Sequence, residues 1–92
     1  MIKSLKTRGL KRLYEQGDRS GIRPDLVDIV ERILTILDSA STAQAFDLAR
    51  YRLHQLKGDR KGFWAVTVRA NWRIVFRFVN GDAVDVELID YH

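Results

Sequence analysis

The chain contains no cysteine, one proline, one methionine and two histidines among its 92 residues. The absence of cysteine excludes a disulfide framework and thiolate metal sites, and it agrees with a reducing compartment. No apolar run approaches the roughly 18 residues that cross a bilayer. The first six residues alternate charge with apolarity and contain no secretory hydrophobic segment. These absences predict a cytoplasmic protein that does not associate with a membrane.

The composition indicates one globular domain over residues 1–92. Hydrophobic residues make up 46% of the chain and charged residues 30%, which argues against intrinsic disorder. A chain of this length cannot build two separate hydrophobic cores. We therefore expect a single domain.

Positive charge is concentrated in one part of the chain. The net charge is +4, but residues 50–79 hold eight basic residues against Asp59 alone, a local charge of +7. Residues 25–49 and 80–92 each have a local charge of −4. The basic segment is suited to a polyanionic partner such as RNA. A solvated face that the acidic segments neutralise is an equally good interpretation of the charge alone.

Apolar residues at a spacing of 3.6 predict two helices in the N-terminal half. The first is short, is built on Leu10, Leu13 and Tyr14, and ends by Gly17. An extended arm precedes it. The second helix begins near Pro24 and has about four turns. Its apolar stripe comprises Leu26, Ile29, Val30, Ile33, Leu37 and Ala40.

From Tyr51 onward the apolar spacing changes to two, which is typical of strands. Residues 53–56 predict a modest strand, and three further strands follow as a meander between residues 64 and 88. Phe46 and Leu48 are expected to anchor the preceding loop to the core. The fold class is therefore α+β, with two N-terminal helices packed on one face of a mostly antiparallel β-sheet.

Two strand registers can be predicted from the alternation. Asn80-Gly81 favours a two-residue turn, but that turn would place Asp85 beside Phe76 on the apolar face. Because a one-residue slip moves every side chain to the other face, we predict three-residue loops in both hairpins. The predicted pairs are Phe78–Val84, Phe76–Val86, Ile74–Leu88, Trp72–Asp90 and Val68–Trp72, with Arg77 opposite Asp85.

Proton-transfer chemistry is available to a small set of residues in the C-terminal half. The candidates are His54, Lys57, Arg73, Asp90, Tyr91 and His92. If the sheet brings the two histidines together beside the two bases, they meet the needs of RNA cleavage through the ribose 2′-hydroxyl. One imidazole removes the 2′-hydroxyl proton, the other protonates the leaving oxygen, and the cations stabilise charge on the phosphate. This scheme requires no metal and no cofactor.

Each candidate also has a structural interpretation. A single strand histidine is more often structural than catalytic, and a terminal Tyr-His is often a frayed end. His54, Asp90 and His92 could instead hold a metal ion, although no spacing motif supports this. Arg77 is expected to pair with Asp85 across the strands. The residues alone leave these alternatives open.

Four segments resemble the HigB toxins of the RelE/ParE superfamily of type II toxin–antitoxin systems. They are residues 53–60 (LHQLKGDR), 64–68 (WAVTV), 71–76 (NWRIVF) and the terminal 90–92 (DYH). The resemblance covers essentially the whole chain, although many relatives have proline where Gln55 stands here. It implies a RelE-like microbial RNase fold and a ribosome-dependent endoribonuclease that cuts messenger RNA in the decoding site.

The resemblance also implies partners and residue roles. The partners are a helix-turn-helix, HigA-like antitoxin, the ribosome and mRNA, and operator DNA only through the antitoxin complex. The catalytic positions correspond to His54, Asp90, Tyr91 and His92, and the RNA-facing bases to Lys57 and Arg73. His92 is the expected base, His54 the expected acid, and these two roles could be exchanged. A ParE-like toxin that inhibits gyrase and a non-enzymatic RNA-binding domain are the alternatives.

Overall fold

A computed structural model describes residues 1–91. Two α-helices precede one four-stranded antiparallel sheet in which the strand order follows the chain. The elements are α1 (Arg8–Gln16), α2 (Val27–Ser39), β1 (His54–Gln55), β2 (Trp64–Arg69), β3 (Trp72–Val79) and β4 (Asp82–Asp90). The predicted α+β fold class is confirmed, although β1 is shorter than residues 53–56.

The two helices form where the apolar spacing predicts them. In α1, Leu10 and Leu13 are buried, and Gly17 ends the helix in the left-handed conformation with φ 69°. Glycine adopts this conformation without steric cost, and its N–H bonds the carbonyl of Leu13 at 3.0 Å. Helix α2 begins at Val27, so Pro24 lies in the turn before the helix rather than in its first turn.

The main core lies between the helices and one face of the sheet. It combines the apolar stripe of α2 with inward residues of β2, β3 and β4, and Val30, Ile33, Phe46 and Phe76 are fully buried. Leu48 is 55% exposed, so only Phe46 anchors the loop that follows α2. Burial of these side chains supplies most of the driving force for folding.

A smaller apolar cluster lies on the opposite face of the sheet. Leu56, Ala65 and Val75 are buried there, with Phe63 and Ile89 packed against them. We call this side, which is turned away from the helices, the outer face. Because residues directly paired across strands share a face, the pairs identify which other side chains belong to it.

The N-terminal arm pairs with the sheet edge, as an extended segment should. Ile2 and Leu5 form parallel bridges to Ala83 and Val86 of β4. The N–H of Lys3 donates to the carbonyl of Ala83 at 2.8 Å. The arm therefore covers the edge of β4 and satisfies its backbone groups.

The β3–β4 hairpin closes on a two-residue turn, contrary to the predicted three-residue loop. Val79 pairs with Asp82, and the turn residues Asn80 and Gly81 have φ values of 52° and 84°. Two consecutive positive φ angles define a type I′ turn, whose backbone twist matches the twist of the flanking strands. Asn-Gly is the favoured sequence of this turn. The predicted pair Phe78–Val84 and the placement of Arg77 opposite Asp85 are therefore wrong, because Phe78 pairs with Ala83 and Arg77 with Val84.

A bulge at Asp85 restores the predicted register farther along this hairpin. Asp85 has φ 53°, and its N–H donates to the hydroxyl of Ser4 at 2.7 Å. Its carboxylate accepts a hydrogen bond from Arg77 Nε at 2.9 Å, so the expected ion pair is confirmed. Beyond the bulge the pairs are the predicted Ile74–Leu88 and Trp72–Asp90.

The β2–β3 hairpin repeats this solution. Arg69 pairs with Trp72 across a two-residue turn, so the predicted pairing of Val68 with Trp72 is wrong. A register shift then separates Arg69 from Thr67, and Thr67 pairs with Arg73 as the predicted alignment requires. Both hairpins thus combine a tight turn with an irregularity that keeps the apolar face intact.

Candidate functional site

The outer face of the sheet divides into two halves of different charge. Toward the β3–β4 turn, Arg77 pairs with Asp85 at 2.9 Å and Arg60 pairs with Glu87 at 3.1 Å. Arg77 also lies 5.7 Å from the ring centre of Phe63. This half is neutralised by its own carboxylates.

The other half contains a cavity with three arginines. This arginine cavity has a volume of about 540 Å³, and its lining residues are Ala49, Arg50, Arg52, Thr67, Ala70 and Arg73. Within residues 1–91 none of the three arginines forms an ion pair with a carboxylate. Three bases of the basic segment that form no ion pair are therefore gathered at one place on the outer face.

Arg73 is held in a fixed position at the edge of this cavity. Its Nη1 donates to the carbonyls of Ala70 at 2.6 Å and Trp72 at 3.0 Å. A guanidinium has five N–H donors, so three remain on Nε and Nη2 for a ligand. Thr67 lies directly across from Arg73, and its hydroxyl oxygen is buried without a hydrogen-bond partner.

His54 lies next to the arginine cavity on the same face. It is exposed, and it pairs with Ala65 of the outer apolar cluster. Its Nδ1 lies 3.1 Å from the carbonyl of Arg52, which has the left-handed values φ 47° and ψ 47°. Since a carbonyl only accepts, Nδ1 carries the hydrogen in this contact. Nε2 is then the ring atom left to take up or release a proton.

Asp90 lies on the opposite side of the sheet from His54. Its partner is Trp72, which packs against the main core, and it lines a cavity of about 230 Å³ with Arg23 and Arg69. The pKa of Arg23 is raised mainly by its hydrogen bond to Asp25, and the charge of Asp90 adds to this. His54 and Asp90 are separated by three strand spacings across the sheet and by three residues along the strand. Their Cα atoms are therefore about 17 Å apart.

Tyr91 follows β4, and its backbone extends the strand pairing. Its N–H donates to the carbonyl of Asn71 at 2.7 Å, and its side chain is 47% exposed. Strand alternation assigns its side chain to the outer face, the face of Arg73. Lys57 is exposed and follows β1 at the start of a short 3₁₀ turn. His92 lies outside the described residues.

The structure thus brings part of the candidate set together. His54 and Arg73 share the outer face, and alternation adds Tyr91, whereas Asp90 is on the helix side. Residues 1–91 contain no group of three His, Asp or Glu side chains that could hold a metal ion. No helix in this range has both the length and the apolarity of a membrane span.

Sequence reasoning missed three residues of the arginine cavity. Arg50 and Arg52 belong to the basic segment, but they flank a short 3₁₀ turn whose path no periodicity predicts. A signal for Thr67 did exist, because the predicted register already pairs it with Arg73. A hydroxyl opposite an arginine on an otherwise apolar strand was the available clue.

Two helices over a four-stranded antiparallel meander are consistent with the RelE-like toxins. A family model described as the RelE-like toxin HigB of type II toxin–antitoxin systems matches residues 3–92. The chain belongs to this HigB-like toxin family, as its sequence motifs predict. Membership in a type II system implies an antitoxin partner.

Individual relatives agree with this assignment. The chain is 49% identical to Endoribonuclease HigB of Proteus vulgaris over 92 residues, which is 100% of both chains. It is 28% identical to Toxin HigB-1 of Vibrio cholerae serotype O1 over 90 residues, 96% of this chain and 95% of the relative. A match to human Protocadherin alpha-1, 34% identical over 74 residues, spans 73% of this chain and only 8% of that protein. This last match carries no argument about function.

Proposed function

We propose that this toxin, an endoribonuclease of the HigB family, cleaves messenger RNA on the ribosome without using a metal ion. The observation that carries the mechanism is the oriented imidazole of His54 beside three unneutralised arginines. A toxin that only binds its target has no need of an imidazole oriented by a hydrogen bond beside a group of cations. We place the reaction in the cytoplasm, where ribosomes and messenger RNA meet.

The chemistry is a transfer of phosphorus from the 5′-oxygen to the 2′-oxygen. The ribose 2′-oxygen attacks phosphorus, the bond from phosphorus to the 5′-oxygen breaks, and a cyclic phosphate forms. One group takes the 2′-hydroxyl proton and another protonates the 5′-oxygen, so protons balance. His54 performs one of these transfers through Nε2, because Nδ1 is engaged with Arg52.

The C-terminal residues supply the second transfer in this proposal. Tyr91 is exposed beyond β4 and is suited to stack on a base, and His92 is the proposed partner of His54. Lys57 and Arg73 attract the RNA backbone. Asp90 acts from the helix side of the sheet, where it is near Arg23 and fixes the end of β4. It is therefore a positioning residue for the two residues that follow.

The proposed partners follow from the family and from the charge distribution. We assign the antitoxin to the helix-turn-helix, HigA-like class, and we expect operator DNA to be bound only through the toxin–antitoxin complex. The arginine cavity suits a polyanion, and mRNA held by the ribosome is such a ligand.

The test compares His54→Ala with Gln55→Ala, the adjacent strand residue on the other side of the sheet. Both variants are expressed briefly, growth is followed, and the 5′ ends of ribosome-bound transcripts are mapped. His54→Ala should abolish toxicity and cleavage while Gln55→Ala retains both, and the new ends should bear 5′-hydroxyls. Full toxicity of His54→Ala would favour a binding toxin such as a gyrase inhibitor, and 5′-phosphate ends would exclude attack by the 2′-oxygen.

A further inference from the structure

We propose that the arginine cavity is a separate phosphate-binding subsite, which holds the phosphodiester next to the one cleaved at His54. Its ligands are Arg50, Arg52 and Thr67 in addition to Arg73. The proposal rests on the proposed function, because it names where the RNA backbone continues beyond the reacting nucleotide.

The first argument is charge. Three arginines line one cavity, and within residues 1–91 no carboxylate forms an ion pair with any of them. Like charges at close range disfavour the empty cavity, and a bound anion removes that cost. On the same sheet face Arg60 and Arg77 are neutralised by carboxylates, whereas the three arginines of the cavity are not.

The second argument is the hydroxyl of Thr67. Its oxygen is buried and has no hydrogen-bond partner, although Thr67 lies between the buried apolar residues Val66 and Val68. Native proteins rarely leave such a group unsatisfied. The polar side chains that line the cavity with it are arginines, which only donate, so its O–H has no acceptor among them. A phosphate oxygen supplies that acceptor once rotation about χ1 turns the buried hydroxyl toward the cavity.

The third argument is the link to the catalytic histidine. Arg52 lines the cavity, and its carbonyl receives Nδ1–H of His54 at 3.1 Å. Arg52 has a left-handed backbone conformation, which is costly for a residue other than glycine. In this conformation the one residue both lines the cavity and accepts the hydrogen bond from His54. In the register, His54 and Arg73 are two strand spacings apart across the sheet and two residues apart along the strand. Their Cα atoms are therefore about 12 Å apart. This separation fits a neighbouring phosphate rather than the scissile one.

The experiment measures binding separately from cleavage. A short RNA oligonucleotide that is 2′-O-methylated, and so cannot be cleaved by the proposed route, is titrated into the full-length protein at several salt concentrations. The variants are Arg50→Gln/Arg52→Gln, Thr67→Val and His54→Ala. Arg32→Gln on the exposed side of α2 is the control for loss of a positive charge.

The double arginine variant should weaken binding at least tenfold and should lower the salt dependence, because two cationic contacts to the bound phosphate are lost. Thr67→Val should weaken binding about fivefold but should raise the melting temperature, since valine removes the unsatisfied hydroxyl. A purely structural threonine would give the opposite change in stability.

Two outcomes would overturn the subsite: affinity of the double variant equal to that of Arg32→Gln, or a lower melting temperature of Thr67→Val with unchanged affinity. Failure of the proposed function looks different. His54→Ala would then still cleave messenger RNA in cells, whatever the oligonucleotide affinities of the arginine variants.

Discussion

Replacing Gly9 by alanine should destabilise this fold, although the same change inside a helix normally stabilises by about 0.5–1 kcal/mol. Gly9 is buried in α1, and a Cβ at this position would lie 2.3 Å from the carbonyl oxygen of Gly21 and 2.9 Å from its carbon. Both are backbone atoms, so no side-chain rotation can relieve the overlap. The segment around Gly21 would have to move away from α1.

The expected magnitude follows from the depth of this overlap. Forcing an extra methyl into a packed site costs about 1–3 kcal/mol, and a contact this short belongs at the upper end. For a domain of this size 1 kcal/mol shifts the melting temperature by roughly 4–8 °C, so Gly9→Ala should melt about 10 °C or more below the parent.

Thermal and urea unfolding followed by far-UV circular dichroism measure this effect. The difference between Lys11→Ala and Lys11→Gly, at an exposed position of the same helix, gives the change that helix propensity alone produces. If Gly9→Ala melts at or above the parent temperature, α1 does not approach the Gly21 segment as closely as described, and the reasoning fails.

Two further substitutions test polar contacts. Tyr14 donates a 2.6 Å hydrogen bond to Asp38, which raises the pKa of Tyr14 and, with a bond from the Ile2 N–H, lowers that of Asp38. Tyr14→Phe should lower the free energy of unfolding by about 0.5–1 kcal/mol near neutral pH. The difference should vanish in denaturant titrations as pH falls through the lowered pKa of Asp38 or rises through the raised pKa of Tyr14, and a pH-independent difference would refute the assignment. Asp90→Asn should reduce the mRNA cleavage rate while oligonucleotide affinity stays within about twofold, because Asp90 is away from the arginine cavity; a parallel loss of affinity would place it in the RNA path.

The helices and the strand alternation were predictable because each depends on local spacing. Gly17 ends α1 where the sequence indicates, and the inward residues of β3 follow the period of two. The hairpin turns were predicted incorrectly because two local rules conflict. Turn chemistry favours a two-residue connection at Asn80-Gly81, whereas burial of the apolar face requires a longer one. The protein satisfies both with a bulge, which no alternation pattern contains.

That bulge depends on a contact between distant parts of the chain. Asp85 can leave the ladder because Ser4 receives its N–H and Arg77 binds its carboxylate. Ser4 is separated from Asp85 by 81 positions. Neither residue has a local signature for this role, so only the folded arrangement of the N-terminal arm against β4 reveals it.

The position of Asp90 shows how much the strand register alone can predict about the candidate site. The predicted pairing of Trp72 with Asp90 is confirmed, and it assigns both residues to the apolar, helix-facing side. Arg73, the next residue along β3, must then lie on the other face. The register by itself therefore separates Asp90 from Arg73, even though the resemblance groups both in one site. The face of His54 could not be derived in this way, because β1 is only two residues long and its pairing with Ala65 is known only from the structure. The role that we propose for Asp90, exerted through the end of β4, is consistent with its position on the helix-facing side of the sheet.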